Sequence, residues 1–83
     1  MDKSIDVVAL FRDASFEVSG RRLEGLTLQT AIADLSLDSV QILEIVAYTE
    51  ERLGVRLSDD DLQGVSTLAE LGALLQRASR RAA

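Results

Sequence analysis

The chain contains no cysteine and no histidine among its 83 residues. It therefore has no thiol nucleophile, no disulfide and no imidazole base, and it lacks the usual ligand set of a zinc site. Acidic residues alone do not make a nucleophile–base pair with an oxyanion site, so we expect neither an enzyme nor a metal protein. A chain of this length is large enough for one modest core. We expect a single domain over residues 1–83, with a core at about 4–78 and a frayed tail at 79–83.

Long apolar runs are missing as well. The sequence has no run of about 18 or more apolar residues, so we expect no membrane insertion. Its first residues, Met-Asp-Lys-Ser-Ile-Asp, lack the basic region of a secretory signal. We expect the protein to be cytoplasmic.

The charge is acidic and unevenly placed. The formal net charge is −5, and residues 34–70 contain nine acidic but only two basic residues. Such a segment repels nucleic-acid phosphates and favours partners with basic surfaces. An ordinary solvated acidic surface is the simpler alternative for the charge taken alone. Aspartates 59–61 lack the ligand spacing of a calcium loop and suit the first turn of a helix better.

Apolar spacing and capping residues predict an all-α bundle of four helices, three main and one short, with a long loop between the first two. The leucines and isoleucine of that loop are expected to pack on the core: Leu23, Leu26, Leu28, Ile32 and Leu35. The predicted helices are a first from about Ile5 to Phe16, running toward Val18 and stopping at Ser19-Gly20; a second from Ser39 to about Leu53; a short third capped by Ser58; and a last that starts with a Thr67–Glu70 capping box. Gly72 lies inside this last helix and is expected to permit close helix packing.

The second helix has two distinct faces at about 100° per residue. The apolar sector predicted to face the core contains Ile42, Leu43, Ile45, Val46, Thr49 and Leu53. The opposite strip contains Val40, Glu44, Ala47 and Glu51, which pair small apolar groups with two carboxylates. We interpret this strip as a docking surface, since a basic partner would be steered by the glutamates and would bury the apolar groups.

Asp38 and Ser39 stand immediately before the periodic part of this helix. Both are preferred N-cap types, so the helix begins at or beside Ser39. Unpaired N–H groups and partial positive charge at a helix N-terminus favour a phosphate bound there. An isolated Asp-Ser pair is explained by capping alone, so the surrounding sequence has to decide whether Ser39 is modified.

The stretch from Leu26 to Leu75 resembles an acyl carrier protein. Three blocks carry the resemblance in the family's order and spacing: Thr30-Ala-Ile-Ala-Asp34-Leu-Ser-Leu-Asp38-Ser39-Val40, Glu50-Glu-Arg-Leu-Gly-Val-Arg-Leu-Ser-Asp-Asp-Asp-Leu62, and Ser66-Thr-Leu-Ala-Glu-Leu71. The chain departs from the family pattern at two positions. Ser36 stands where the family usually has glycine, which tolerates a positive φ better than serine does, and Val40 stands where the family usually has leucine.

The resemblance implies a four-helix carrier in which Ser39 bears 4′-phosphopantetheine. Asp38, beside it, would serve a Mg²⁺-dependent phosphopantetheinyl transferase, or cap the helix, or both. The prosthetic thiol would hold acyl intermediates as thioesters in fatty-acid, polyketide or related biosynthesis. The implied partners are the transferase and the acyl-loading and synthase or transferase enzymes with basic docking surfaces. We expect a monomer.

Two alternatives remain open from the sequence. A free-standing peptidyl or aminoacyl carrier of nonribosomal-peptide-type biosynthesis shares the fold and the prosthetic group and differs in its cargo. An unmodified small helical interaction domain belongs to a different class, and for it Ser39 would be dispensable.

Overall fold

The structure is a computed structural model that describes residues 5–82, with Ala82 described by its backbone only. The predicted all-α architecture is confirmed, including the short helix and the long connection. The regular elements are α1 (Val7–Ser19), a 3₁₀ turn (Ile32–Leu35), α2 (Ser39–Leu53), α3 (Asp59–Gln63) and α4 (Leu68–Ala82).

Helix α1 begins later than expected and ends where it was expected to stop. Asp6 is its N-cap and accepts a hydrogen bond from the N–H of Ala9 at 3.2 Å, so Ile5 lies outside the helix. At the other end Gly20 has a φ of 73°, and its N–H donates to the carbonyl of Phe16 at 2.8 Å. This left-handed residue ends the helix after Ser19, as the Ser-Gly pair predicted.

The core lies where α1, α2 and α4 meet. Its fully buried large apolar side chains come from all three helices: Phe11, Ile45, Leu68, Leu71 and Leu75. Gly72 permits the close packing expected of it, since a Cβ built there would lie 2.9 Å from Val7 Cγ1. The first turn of α1 therefore rests against the backbone of α4.

The connection between α1 and α2 is fixed to the start of α4 by backbone hydrogen bonds. Ala31 and Thr67 form an isolated antiparallel bridge, with the N–H of Ile32 donating to Ser66 at 2.9 Å and the N–H of Leu68 donating to Thr30 at 3.1 Å. Leu23 and Ile32 are buried, and Leu26 and Leu35 are partly buried, as predicted. The expectation for Leu28 was wrong, because its side chain is 47% exposed.

The start of α4 is closed by the predicted capping box. The N–H of Glu70 donates to Thr67 Oγ1 at 3.2 Å, and Glu70 Oε1 accepts from the N–H groups of Thr67 at 3.1 Å and Ser66 at 2.6 Å. These backbone donors lower the pKa of Glu70. The helix continues to Ala82, and Ala83 lies outside the described residues, so the frayed tail at 79–83 stays a prediction.

Candidate functional site

The start of α2 is built by Asp38. Its Oδ1 accepts from the N–H of Gln41 at 2.7 Å, and Gln41 Oε1 in return accepts from the N–H of Asp38 at 3.2 Å. This reciprocal capping box satisfies two backbone donors at the helix end. Asp38 is thus the N-cap, one of the two roles that the sequence suggested for it.

Ser39 is the first residue of α2 and is exposed. Because Asp38 supplies the cap, the helix start does not depend on the Ser39 hydroxyl. The hydroxyl stands at the positive end of a 15-residue helix, where a phosphodiester is favoured by backbone N–H groups and the helix dipole. The residues present therefore fit a phosphate-linked prosthetic group at this position.

The segment before the cap contains an unusual backbone conformation. Ser36 has φ 58° and ψ 35°, the left-handed region that residues with a Cβ adopt at a cost of about 1–2 kcal/mol. The loop thus takes a conformation suited to glycine although serine occupies the position. Arg21 contacts it from the other end of the connection, with Nη1 donating to the Ser36 carbonyl at 3.2 Å.

The exposed face of α2 extends from Ser39 toward the end of the helix. All four residues of the predicted docking strip are exposed: Val40, Glu44, Ala47 and Glu51. Val40 is 63% exposed, although it is apolar. The strip therefore offers apolar contacts flanked by two carboxylates, beginning next to Ser39.

Leu43 was wrongly assigned to the core and is 57% exposed. The buried side of α2 consists of Ile45, Val46 and Thr49, with Ile42 and Leu53 partly buried. Leu43 lies about 40° from Ala47 around the helix axis and about 120° from Thr49, so it borders the exposed strip. The sequence sector chosen for the core was too wide by this one residue. We define the α2 face as Val40, Leu43, Glu44, Ala47 and Glu51.

Glu50 differs from its two acidic neighbours on this helix. Its Oε2 accepts from the N–H of Leu57 at 2.6 Å, and the side chain is partly buried. The carboxylate therefore fixes the connection between α2 and α3. Glu44 and Glu51 are exposed and form the acidic part of the α2 face.

Two further kinds of functional feature are absent from the described part of the chain. Residues 5–82 contain no group of three or more acidic, cysteine or histidine side chains able to hold a metal ion. No helix in the same range is long and apolar enough to cross a membrane.

The family to which the sequence is similar agrees with a phosphate-linked group at the start of α2. The family model described as "Phosphopantetheine attachment site" matches residues 12–75, a range that contains the capped start of α2. Family members bind covalently attached phosphopantetheine, which identifies 4′-phosphopantetheine as the cofactor class of this chain.

Several similar proteins are acyl carrier proteins. The acyl carrier protein of Rhodococcus erythropolis is 30% identical over 73 residues, which cover 87% of this chain and 80% of the relative. The meromycolate extension acyl carrier protein of Mycobacterium tuberculosis is also 30% identical over 73 residues. The match covers 87% of this chain and 64% of that protein's length.

Solved structures agree in fold. The acetyl actinorhodin acyl carrier protein of Streptomyces coelicolor is 30% identical with a TM-score of 0.70, covering 99% of this chain and 95% of that one. The acyl carrier protein of Thermotoga maritima has a TM-score of 0.83 over 93% of this chain and 91% of its own. Its sequence is 18% identical to this chain, so the similarity supports the fold alone. Together these matches show that the chain belongs to the acyl carrier protein family of phosphopantetheine-bearing domains, which carry intermediates and catalyse no reaction themselves.

Proposed function

We propose that Ser39 is the residue that carries 4′-phosphopantetheine. The observation that carries the proposal is its position as an exposed first residue of a helix whose cap is made by Asp38. In the transfer, Ser39 Oγ attacks the phosphorus of coenzyme A that bears pantetheine. An O–P bond forms, the pyrophosphate P–O bond breaks, and 3′,5′-ADP leaves while the hydroxyl proton passes to a base of the transferase.

The attached group supplies the thiol that this cysteine-free chain lacks, and with it the capacity to hold an acyl chain as a thioester. The role of the protein is to deliver the acyl chain, because a tethered cargo reaches each partner active site at a high effective concentration. The similarity to meromycolate extension and actinorhodin acyl carrier proteins supports acyl over aminoacyl cargo. We assign the chain to fatty-acid, polyketide or related biosynthesis, as a cytoplasmic monomer.

The α2 face is proposed to select the partner enzymes. Glu44 and Glu51 attract a basic docking surface through solvent at long range, an attraction that salt screens. Val40, Leu43 and Ala47 are then buried at short range, where apolar burial adds affinity. Partners of this kind include the phosphopantetheinyl transferase and the acyl-loading and synthase or transferase enzymes.

The modification site is tested by intact-protein mass after incubation with coenzyme A, Mg²⁺ and a broad-specificity phosphopantetheinyl transferase. The parent and the control Ser66→Ala, another exposed serine, are expected to gain one phosphopantetheine, and Ser39→Ala none. An unmodified parent that is folded, with the transferase active on a known carrier, would contradict the proposal and favour an unmodified interaction domain. Loading the modified chain with acyl or aminoacyl groups by the matching enzymes then distinguishes the two kinds of cargo.

The docking surface is tested with a pair of double variants. Glu44→Gln/Glu51→Gln and the control Glu17→Gln/Glu24→Gln remove the same charge from exposed positions on different parts of the molecule. We expect the first pair to raise the KM of the transferase at low salt, with a difference that shrinks as salt rises. Equal KM values for both pairs would exclude the α2 face as the site of electrostatic docking.

A further inference from the structure

The segment that leads into Ser39 is held in place by a side chain from the far end of the connection. Arg21 Nη1 donates to the carbonyl oxygen of Ser36 at 3.2 Å and lies 3.5 Å from the carbonyl oxygen of Leu35. The first distance lies at the upper end of the range for an N–H···O hydrogen bond, and the second is a longer contact. One guanidinium thus links two residues that are 15 positions apart in the sequence.

The backbone of Arg21 is anchored independently of its side chain. Its N–H donates to Ser19 Oγ at 3.3 Å, and its carbonyl accepts from the hydroxyl of the fully buried Ser15 at 3.5 Å. Ser19 Oγ in turn donates to the carbonyl of Ser15 at 2.8 Å. A substitution of Arg21 keeps these main-chain contacts with the end of α1 and removes only the contact with the loop.

The loop that the guanidinium holds is mostly exposed between Leu35 and the start of α2. Ser36 is in the left-handed region, which disfavours a residue with a Cβ. Ser36, Asp38 and Ser39 are exposed, and only Leu37 between them is partly buried. Two residues separate Ser36 from Ser39, so a rotation of the Ser36 peptide moves the cap and the first residue of α2 with it.

From these contacts we propose that Arg21 is a positioning residue for Ser39. Its guanidinium keeps the turn at Leu35 and Ser36 in the conformation in which Asp38 caps α2 and Ser39 occupies the first helical position. The inference rests on the proposed function, since it concerns the presentation of Ser39 to the transferase.

Loss of the contact has a specific kinetic consequence. A loop released from Arg21 populates other conformations, and the apparent affinity of the transferase falls by the fraction of chains that remain competent. Chains that do bind react as before. We therefore expect Arg21→Ala to raise the KM for this protein by about threefold to tenfold, with kcat unchanged.

The chain provides a matched control at the next position. Arg22 is exposed and its guanidinium lies over the ring of Phe16, 5.4 Å from the centroid, so Arg22→Ala removes the same charge beside the same helix. Kinetics are measured on the full apo chain, with thermal melts of each variant. Arg22→Ala is expected to keep the KM of the parent. If Arg21→Ala melts below the assay temperature, the KM values of Arg21→Lys and Arg22→Lys are compared instead. Lysine is shorter than arginine by one bond and reaches less far toward the loop.

Two further measurements separate positioning from direct contact with the transferase. Glycine adopts the left-handed conformation without the Cβ penalty. The double variant Arg21→Ala/Ser36→Gly is therefore expected to have a KM between that of Arg21→Ala and that of the parent. Hydrogen exchange of the Asp38 amide, whose N–H donates to Gln41 Oε1, is expected to accelerate in Arg21→Ala and not in Arg22→Ala.

The outcomes are distinct. Equal KM values for Arg21→Ala and Arg22→Ala would overturn the inference. A raised KM without recovery by Ser36→Gly and without faster exchange at Asp38 would also overturn it, because Arg21 would then touch the transferase itself. Failure of the parent to be modified at Ser39 would instead contradict the proposed function, and the mass measurement detects it before any variant is made.

Discussion

Asp38 combines a structural role that is visible in its hydrogen bonds with a proposed role in modification, and two substitutions separate them. Asparagine caps a helix as well as aspartate does, so Asp38→Asn keeps an oxygen for the N–H of Gln41 and removes the charge. Alanine removes both. The expected result is a stable Asp38→Asn that is a poor transferase substrate, and an Asp38→Ala that is impaired in both respects.

The magnitudes follow from the capping geometry. Loss of an N-cap costs about 1 kcal/mol, and in a domain of this size each kcal/mol lowers Tm by about 4–8 °C. Asp38→Ala should therefore melt several degrees below the parent. Asp38→Asn loses only the attraction between a carboxylate and the helix N-terminus, a few tenths of a kcal/mol at an exposed site. A contact to a charged group contributes about 1.5–3 kcal/mol, so we expect kcat/KM of Asp38→Asn to fall by about tenfold to a hundredfold.

The assays are thermal unfolding by circular dichroism and transferase kinetics with purified apo protein. Asp38→Asn modified at the rate of the parent would refute a role for the carboxylate and leave Asp38 as a cap only. Asp38→Asn and Asp38→Ala with the same Tm would refute the capping argument instead. Measuring Ser39→Ala in the same melts checks that the position itself tolerates substitution.

Three other predictions concern stability and docking. Ser36→Gly should raise Tm, since it removes a left-handed penalty of about 1–2 kcal/mol against a smaller entropic loss, while Ser36→Ala should not. The pKa of Glu70 is lowered in the folded state, so the ionised carboxylate stabilises the fold at pH values above the ordinary pKa of 4.5, and this stabilisation is lost as the pH falls through the folded pKa. The Tm of Glu70→Gln should therefore depend less on pH in the acid range than the Tm of the parent. Leu43→Ser should leave the free energy of unfolding within about 0.5 kcal/mol of the parent's but raise the KM of partner enzymes, and a large fall in stability would show that Leu43 belongs to the core.

The sequence predicted α2 and its cap because the signals there are local. Asp38 and Gln41 are three residues apart, and the apolar positions Ile45, Val46 and Thr49 repeat at the spacing of one helix face. Leu43 was misplaced because periodicity gives the direction of a side chain, whereas its burial depends on how widely the neighbouring elements cover the helix. An apolar residue at the edge of the buried sector is therefore the one that sequence alone assigns least well.

The contacts that shape the approach to Ser39 are distant in sequence, and no local pattern predicts them. Arg21 reaches Ser36 across the connection, and Ala31 pairs with Thr67 in an isolated bridge. Arg21 and Arg22 look alike in the sequence, yet one contacts the loop and the other stacks on Phe16. Only the path of the folded chain distinguishes them.

The adjacency of Asp38 and Ser39 resolves a conflict between stability and modification. A serine that capped its own helix would lose that hydrogen-bond geometry when its oxygen became part of a phosphodiester. Here the cap is the carboxylate of Asp38, and the next residue is free to be modified. A phosphodiester at the first position of α2 adds negative charge where the helix dipole attracts it. The modified protein should consequently be at least as stable as the apo form, and a modified chain that melts several degrees below the apo chain would show that Ser39 contributes to the helix start after all.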